Sequence, residues 1–381
     1  MHVLWTPSWY PTPEAPLNGH FFKEAIEVLR EAGHDVGVYW LEVKNTWKWR
    51  RTPVQVDETQ KLIYDSFPNV PRGVFGGDLI LVRKHALKAA RAYERRWGKP
   101  DVIHAQSVFP GILVAQVLAE YWGVPYGITE HRESTLYHPE DTPRFKLVQS
   151  AVQQADFRFG VSSNFAQELE KKYGAPFDIS TLPVPDSFFN RPIHVNDQPS
   201  GTPTRFVHIS SLERRKRVEE TILALKAVRE MGENVSLDVI GGTDERIEEL
   251  KQFVSDNEVS GSVNVLGRIA RSDLPEILSN YDVFVMVSSI ETAGMVFAES
   301  QALGVPVIAS ASLGGAYMVQ EETGVLVPVD DHDALVEAMV GYSRGTISKD
   351  PETVRQVAKG RFSGDAYAKV QEHAYRTAIG E

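Results

Sequence analysis

A chain of 381 residues with 42% hydrophobic and 24% charged residues has an ordinary globular composition and a length suited to two domains of ~150–200 residues. It carries no cysteine, which excludes disulfides and thiol catalysis, and no apolar run nears the ~18–20 residues that span a bilayer. The net charge of −11 falls unevenly, −1 over residues 1–190 and −10 over 191–381. A chain this acidic lacks the basic footprint of a nucleic-acid binder, so no nucleic-acid partner is expected.

The N-terminus, Met-His-Val-Leu-Trp-Thr-Pro, has neither a basic n-region nor a signal h-region. It reads as a buried first strand, with the cytoplasm as the default location. Strands are predicted at 3–5, 35–39, 102–105, 126–129 and 157–161, with helical periodicity at 21–32 and 111–122. A polar, proline-containing stretch at 192–203 interrupts the pattern and reads as a linker. Strands resume at 205–209, 236–240, 263–266, 283–287, 305–309 and 324–327. This alternation predicts an α/β protein with parallel sheets. Residues 1–191 form an N-terminal Rossmann-like domain and 204–359 a C-terminal one, facing a central cleft, with roughly 360–381 at the domain junction.

Open α/β sheets bind ligands beyond the C-terminal ends of their strands. After the first strand comes Pro7-Ser8-Trp9-Tyr10-Pro11, then Asn18-Gly19-His20. Gly19, just ahead of a helix, lets the backbone approach a diphosphate, and equally fits a plain turn. Gly33-His34 reads as a helix C-cap. His104 and His131 close two strands, and Ser162 and Ser163 read as helix N-caps. In the second half, Arg214-Arg215-Lys216-Arg217 sets four cations at a helix start, either solvated or beside a phosphate. Gly241-Gly242 makes a βα turn, and Arg268 follows another strand. Asp331-His332-Asp333 has the look of a metal-binding Asp-x-Asp but precedes a helical stretch, so it reads as an N-cap cluster.

Residues 288–315 carry the strongest signal. Two carboxylates, Glu291 and Glu299, flank Gly294, and a Gly-Val-Pro-Val strand leads on to Gly314-Gly315. On one helix this spacing would turn the carboxylates roughly 80° apart. Glu291 is therefore placed in the loop before a helix, and Glu299 about two turns inside it. The N–H groups of Gly294, Met295 and Val296 then make a phosphate seat at the helix N-terminus. Glu299 is placed to accept two ribose hydroxyls, as acidic residues do in other nucleotide sites.

These residues resemble the nucleotide-sugar site of retaining glycosyltransferases of family four, which have the GT-B architecture. The resemblance covers nearly the whole chain. The family's wording is Glu-x-Phe-Gly with a second Glu five residues after the Gly; here Ala293 stands in place of the Phe. Its Gly-Arg-Leu…Lys-Gly segment is matched at Lys216, while Ser211 replaces the Arg and Arg217 the Gly. Pro183-Val184-Pro185-Asp186 stands where many members have Pro-Asn-Gly-Val-Asp. The resemblance implies retaining, metal-independent hexosyl transfer from a nucleotide-diphosphate sugar, a UDP-sugar by preference, with no cofactor. It implies catalytic roles for Glu291 on a sugar hydroxyl, His131 toward the transferred sugar and Lys216 on the diphosphate. Donor binding would fall to Gly19, Arg214, Arg215, Lys216, Gly241, Arg268, Gly294, Met295, Val296 and Glu299. It also implies a last helix that crosses back to the N-terminal domain.

Lys44–Arg51 mixes cations with Trp47 and Trp49, and Arg83, Lys84, Lys88, Arg91, Arg95, Arg96 and Lys99 add a basic helix. They read either as a solvated face or as contacts to anionic lipid or an anionic lipid-linked acceptor. With residues 132–138 facing the acceptor, the expected partner is a glycan or lipid-linked acceptor. Its setting would be cell-envelope polysaccharide or lipopolysaccharide synthesis, with peripheral contact at the inner membrane face. Two alternatives share the same form: a non-hydrolysing UDP-sugar epimerase, and a sugar-nucleotide-binding protein with impaired catalysis, which the changes at Ser211 and Ala293 keep open.

Overall fold

Two parallel sheets organise the chain. The computed structural model describes residues 1–12, 15, 18–44, 54–69, 77–193 and 201–381. These fall into two units, Met1–Pro183 with Gly364–Glu381, and Val184–Ser363. Residues 45–51 of the predicted Trp-and-cation stretch Lys44–Arg51, and residues 194–200 of the predicted linker, lie outside the described residues. Among the described residues no helix is long and apolar enough to cross a membrane.

In the N-terminal unit the strands are β1 (His2–Pro7), β2 (Asp35–Lys44), β3 (Gln55–Asp57), β4 (Leu62–Pro68), β5 (Val102–Gln106), β6 (Tyr126–Glu130), β7 (Phe157–Gly160) and β8 (Asp178–Ile179). Their order is β3-β4-β2-β1-β5-β6-β7-β8, parallel except for the β3–β4 pair. Strands covered on both faces run almost continuously apolar, which is why β1, β2, β5, β6 and β7 were legible. Sequence reading missed β3, β4 and β8. In β4, Asp65 and Ser66 are buried, and Asp65 is matched by His85 Nδ1 at 2.7 Å, so a polar pair interrupts the apolar signal. β8 has only two residues.

In the C-terminal unit β9 (Thr204–Ser210), β10 (Val235–Gly241), β11 (Val263–Gly267), β12 (Val283–Met286), β13 (Val307–Ser310) and β14 (Gly324–Val327) form a parallel sheet ordered β11-β10-β9-β12-β13-β14. Its core includes Phe206, Leu237, Val239, Val285 and Ile308 from the strands and Ile222, Leu225 and Met339 from covering helices. β9 lies at the centre, so the loops after β9 and β12 emerge side by side, a topological switch point.

The C-terminal end divides between the units. Helix Pro351–Phe362 belongs to the second unit, where the Phe362 carbonyl accepts from the N–H of Val184 at 2.8 Å. Helix Gly364–Ile379 returns to the first unit, with Gly364 set against Val28 of helix His20–Glu31. Its Tyr375 hydroxyl lies 2.7 Å from Nδ1 of His104, whose Nε2 lies 2.8 Å from the Thr129 hydroxyl. Gln371 adds a buried bond to Ser180 at 2.6 Å. His104 is thus a satisfied core histidine at the centre of its sheet.

Candidate functional site

In the C-terminal unit, Ser210 turns the chain after β9 by accepting from Leu212 N at 3.0 Å while bonding His208 Nε2 at 2.9 Å. A short 3-10 turn, Arg214–Lys216, follows, then Arg217 with φ +53 at the cap of helix Val218–Glu230. Of the four adjacent cations only Lys216 turns inward. It pairs with Glu291, and both side chains are nine-tenths buried. The others pair outward: Arg215 with Glu213 at 2.6 Å, Arg217 with Asp330, and the exposed Arg214 with Glu249 at 3.8 Å.

Glu291 sits in the loop after β12, held by its backbone. Its carbonyl accepts from Gly314 N at 2.7 Å, and Ser289 N donates to the Arg215 carbonyl at 2.9 Å. Gly294 follows with φ +76 as N-cap of helix Met295–Ala302, whose first turn has no side-chain cap. A Cβ there would lie 2.6 Å from the Phe297 ring and 3.0 Å from Glu291 Cγ, so a left-handed, side-chain-free residue is required. The arrangement sets Met295 and Val296 at an uncapped helix N-terminus beside a buried carboxylate–ammonium pair, a setting suited to a phosphate.

Glu299 is the fifth residue of that helix, a little over one turn in rather than the two expected, since the helix starts where the sequence places it and each turn takes about 3.6 residues. It is buried and paired with Arg271 at 2.7 Å, and Arg271 lies over the Phe188 ring at 5.2 Å. Sequence reading missed Arg271, which sits in the unremarked turn Arg271–Asp273. Arg268 donates through Nε to the Gly242 carbonyl and so fastens the Gly241–Gly242 turn to the end of β11. Gly241, with φ +120, has no room for a Cβ, which would fall 1.9 Å from the Ser210 carbonyl oxygen. Asp331 does act as an N-cap, accepting from Ala334 N at 2.9 Å, and His332 lies 2.6 Å from Glu220.

In the N-terminal unit Gly19 caps helix His20–Glu31 in the left-handed region, at φ +81, closely packed by Trp9. Around it gather Trp9, Phe21, Phe22 and His131, with the His131 ring 5.2 Å from Phe22 and 5.6 Å from Phe21. His131 Nε2 lies 2.9 Å from the Gln106 amide oxygen. An amide oxygen only accepts, so Nε2 carries the proton and Nδ1 presents a lone pair. Glu130, also missed, is a buried anchor. Its carboxylate accepts from Ser107 Oγ at 2.5 Å and from the N–H groups of Val108, His131 and Arg132 at 2.7–2.8 Å. Burial pushes its carboxyl up, and those bonds oppose the shift. Ser107 is held at φ +74 by this network. Ser162 occupies an N-cap position, but its side chain makes no capping bond.

Burial pushes the imidazoles of His131 and His208 down to about 3, with Arg132 and Lys216 respectively adding to the shift. His104 is pushed well below its usual range, mainly by burial. In the unfolded chain these groups titrate near ~6.5 and there bind protons that the folded state refuses. Stability is therefore full above about pH 6.5 and falls as pH drops from there toward 3. Urea unfolding across pH should show a level midpoint above neutrality and a steady fall below about 6.5. A midpoint level down to about pH 5 would contradict neutral burial of these histidines.

Two family models match the chain, Glycosyltransferase Family 4 over residues 19–184 and Glycosyl transferases group 1 over residues 190–353. The Bacillus subtilis (strain 168) protein named as the teichuronic acid biosynthesis glycosyltransferase TuaC is 26% identical, with 99% of this chain and 98% of that protein aligned. The lipopolysaccharide outer core galactosyltransferase WaaB in its apo form superposes with a TM-score of 0.74 at 15% identity over 99% of both chains. HepE of Anabaena in complex with UDP superposes with a TM-score of 0.73 at 16% identity, over 99% of this chain and 100% of that one. At these identities the superpositions establish the shared two-domain fold. Both halves of the chain are matched by glycosyltransferase models, and a relative named as a glycosyltransferase aligns along its whole length. The chain therefore belongs to the GT-B glycosyltransferases of the family-four type.

Proposed function

We propose that the protein moves a hexose from a nucleotide-diphosphate sugar, UDP-linked by preference, to a glycan or lipid-linked acceptor with retention of configuration. The observation that carries this is the buried Lys216–Glu291 pair beside the uncapped helix start at Gly294. Cleavage of the donor develops charge on the diphosphate. Lys216 and the N–H groups of Met295 and Val296 would stabilise it without a metal, because fixed dipoles in a water-poor site act strongly on developing charge. Glu291 would hold a sugar hydroxyl and Glu299 the ribose, while the leaving phosphate takes the acceptor proton. Gly19 and His131 are the N-terminal unit's candidates for contact with the donor. The relative named for teichuronic acid biosynthesis supports an envelope polysaccharide as the product class.

Calorimetric titration with UDP, GDP and ADP tests the donor. Binding of none at millimolar concentration removes the proposal. Proton NMR of the product from a UDP-sugar then separates transfer from epimerisation: a retained anomeric configuration on a new acceptor supports transfer, and an inverted carbon within the nucleotide sugar supports the epimerase. Membrane contact rests on helix Gly77–Trp97. There Arg83 and Arg96 pair with Glu120 and Glu58, while Lys84, Lys88, Arg91 and Arg95 have no carboxylate partner among the described residues. Vesicle co-sedimentation with anionic lipid at low and high salt measures this. Sedimentation that ignores lipid charge favours a soluble acceptor.

A further inference from the structure

One cavity of the N-terminal unit is lined by none of the residues assigned to the donor. It encloses about 190 Å³ between the loops that follow β5 and β6 and helix Pro143–Gln154. Sites for drug-sized ligands run to ~300–1,000 Å³, so this one suits a single ring. Its lining mixes the aromatic rings of Phe109 and Tyr173 with hydroxyls such as that of Ser134. Ring faces against aromatics and hydroxyls against the wall are the two contacts a sugar offers.

Three charged groups also line it, and two are already committed. The Glu130 carboxylate is saturated by four donors. Arg144 is held by Asp78 through two bonds at 2.6 and 2.8 Å and lies over the Phe109 ring at 4.3 Å. Arg132 is different. Its guanidinium lies 3.4 Å over the Trp9 ring and makes no salt bridge to a carboxylate among the described residues, while the charge of the neighbouring Glu130, itself taken by four donors, acts on it at longer range. Stacking fixes the plane of the guanidinium and leaves its N–H edge for an in-plane anion, the geometry of bidentate carboxylate or phosphate recognition.

We propose that this cavity seats one hydroxylated ring of the acceptor, and that the ring carries a carboxylate or phosphate that pairs with Arg132. Its role as an acceptor seat rests on the transferase reading above. The test uses the full chain and three probes, methyl glucuronoside, glucose 6-phosphate and neutral methyl glucoside, titrated by NMR. An anionic probe should bind about tenfold more tightly than methyl glucoside, and the two anionic arms show whether carboxylate or phosphate is preferred. In Arg132→Gln that advantage should shrink to less than about twofold, while Arg132→Lys should keep part of it. Melting curves of both variants check the fold.

Equal binding of the three probes to the wild type, or an undiminished advantage in a folded Arg132→Gln, overturns the proposal. Titrating UDP into the wild type separates the two readings. A protein that binds the anionic sugar but no nucleotide keeps this site and loses the donor assignment. One that binds UDP but none of the sugars loses the site and keeps the donor.

Discussion

Replacing Lys216 with methionine should slow sugar transfer by ~10²–10³ and lower the melting temperature at the same time. The stability loss follows from Glu291, whose carboxylate would stay nine-tenths buried with its counter-charge gone. Breaking a buried pair from one side costs about 3–5 kcal/mol. For a unit of this size that is a fall of roughly 10 °C. The activity loss has a separate origin. An ammonium aimed at a leaving diphosphate acts mainly in the transition state, and loss of one such donor costs ~10²–10³ in rate. The double variant Lys216→Met/Glu291→Gln separates the two effects, because it removes both charges. Its melting temperature should recover most of the loss while transfer stays at least as slow as in the single variant. Transfer at the wild-type rate in the single variant would strike Lys216 from the mechanism.

Gly294→Ala should destabilise the unit from two additive causes and, by displacing the helix start, weaken nucleotide binding by about tenfold or more. The left-handed backbone costs a residue with a Cβ ~1–2 kcal/mol. The new methyl would also meet the Phe297 ring at 2.6 Å, and Phe297 is fully buried edge-on to Phe284. The ring cannot retreat, so the helix start and Glu291 must move. Gly345→Ala is the control, since Gly345 has φ +69 and open space around its Cβ position. It carries the backbone cost alone. Melting curves of the two variants should differ by the crowding at Gly294, and UDP affinity should fall only in Gly294→Ala. Equal affinity in both would separate Gly294 from the nucleotide.

The alternation of apolar strands with helices was legible because parallel strands are covered on both faces and leave little room for polar residues. Strand β4 escaped because Asp65 is matched by His85, a partner 20 residues away that no local pattern announces. The helix start at Gly294 was legible for a local reason, a glycine between two carboxylates in a βα unit. What could not be read was who pairs with whom. Lys216 finds Glu291 across 75 residues, and Glu130 gathers donors from two loops. Arg271 reaches Glu299 from a turn whose sequence looks like any solvated loop. The same limit explains the four-cation run: its composition suggested a common target, and the fold points three of the four at surface acids.

If Glu299 holds the ribose as proposed, its pairing with Arg271 makes nucleotide capture an exchange rather than an addition. If ribose hydroxyls take Glu299, a guanidinium has to give it up, and part of the gross affinity is consumed in freeing it. Salt then acts in two opposing directions. It would screen the proposed attraction between Lys216 and the diphosphate and ease the release of Arg271 from Glu299. Affinity for UDP would therefore change less with ionic strength than a simple cationic phosphate site allows. Arg271→Ala would restore the steep dependence, and calorimetry over a salt series in both proteins measures it. Parallel salt slopes would mean that Glu299 and Arg271 stay together when the nucleotide binds. A site of this kind would hold its ligand loosely for the number of contacts it makes, which would favour quick release of the spent nucleoside diphosphate after each transfer.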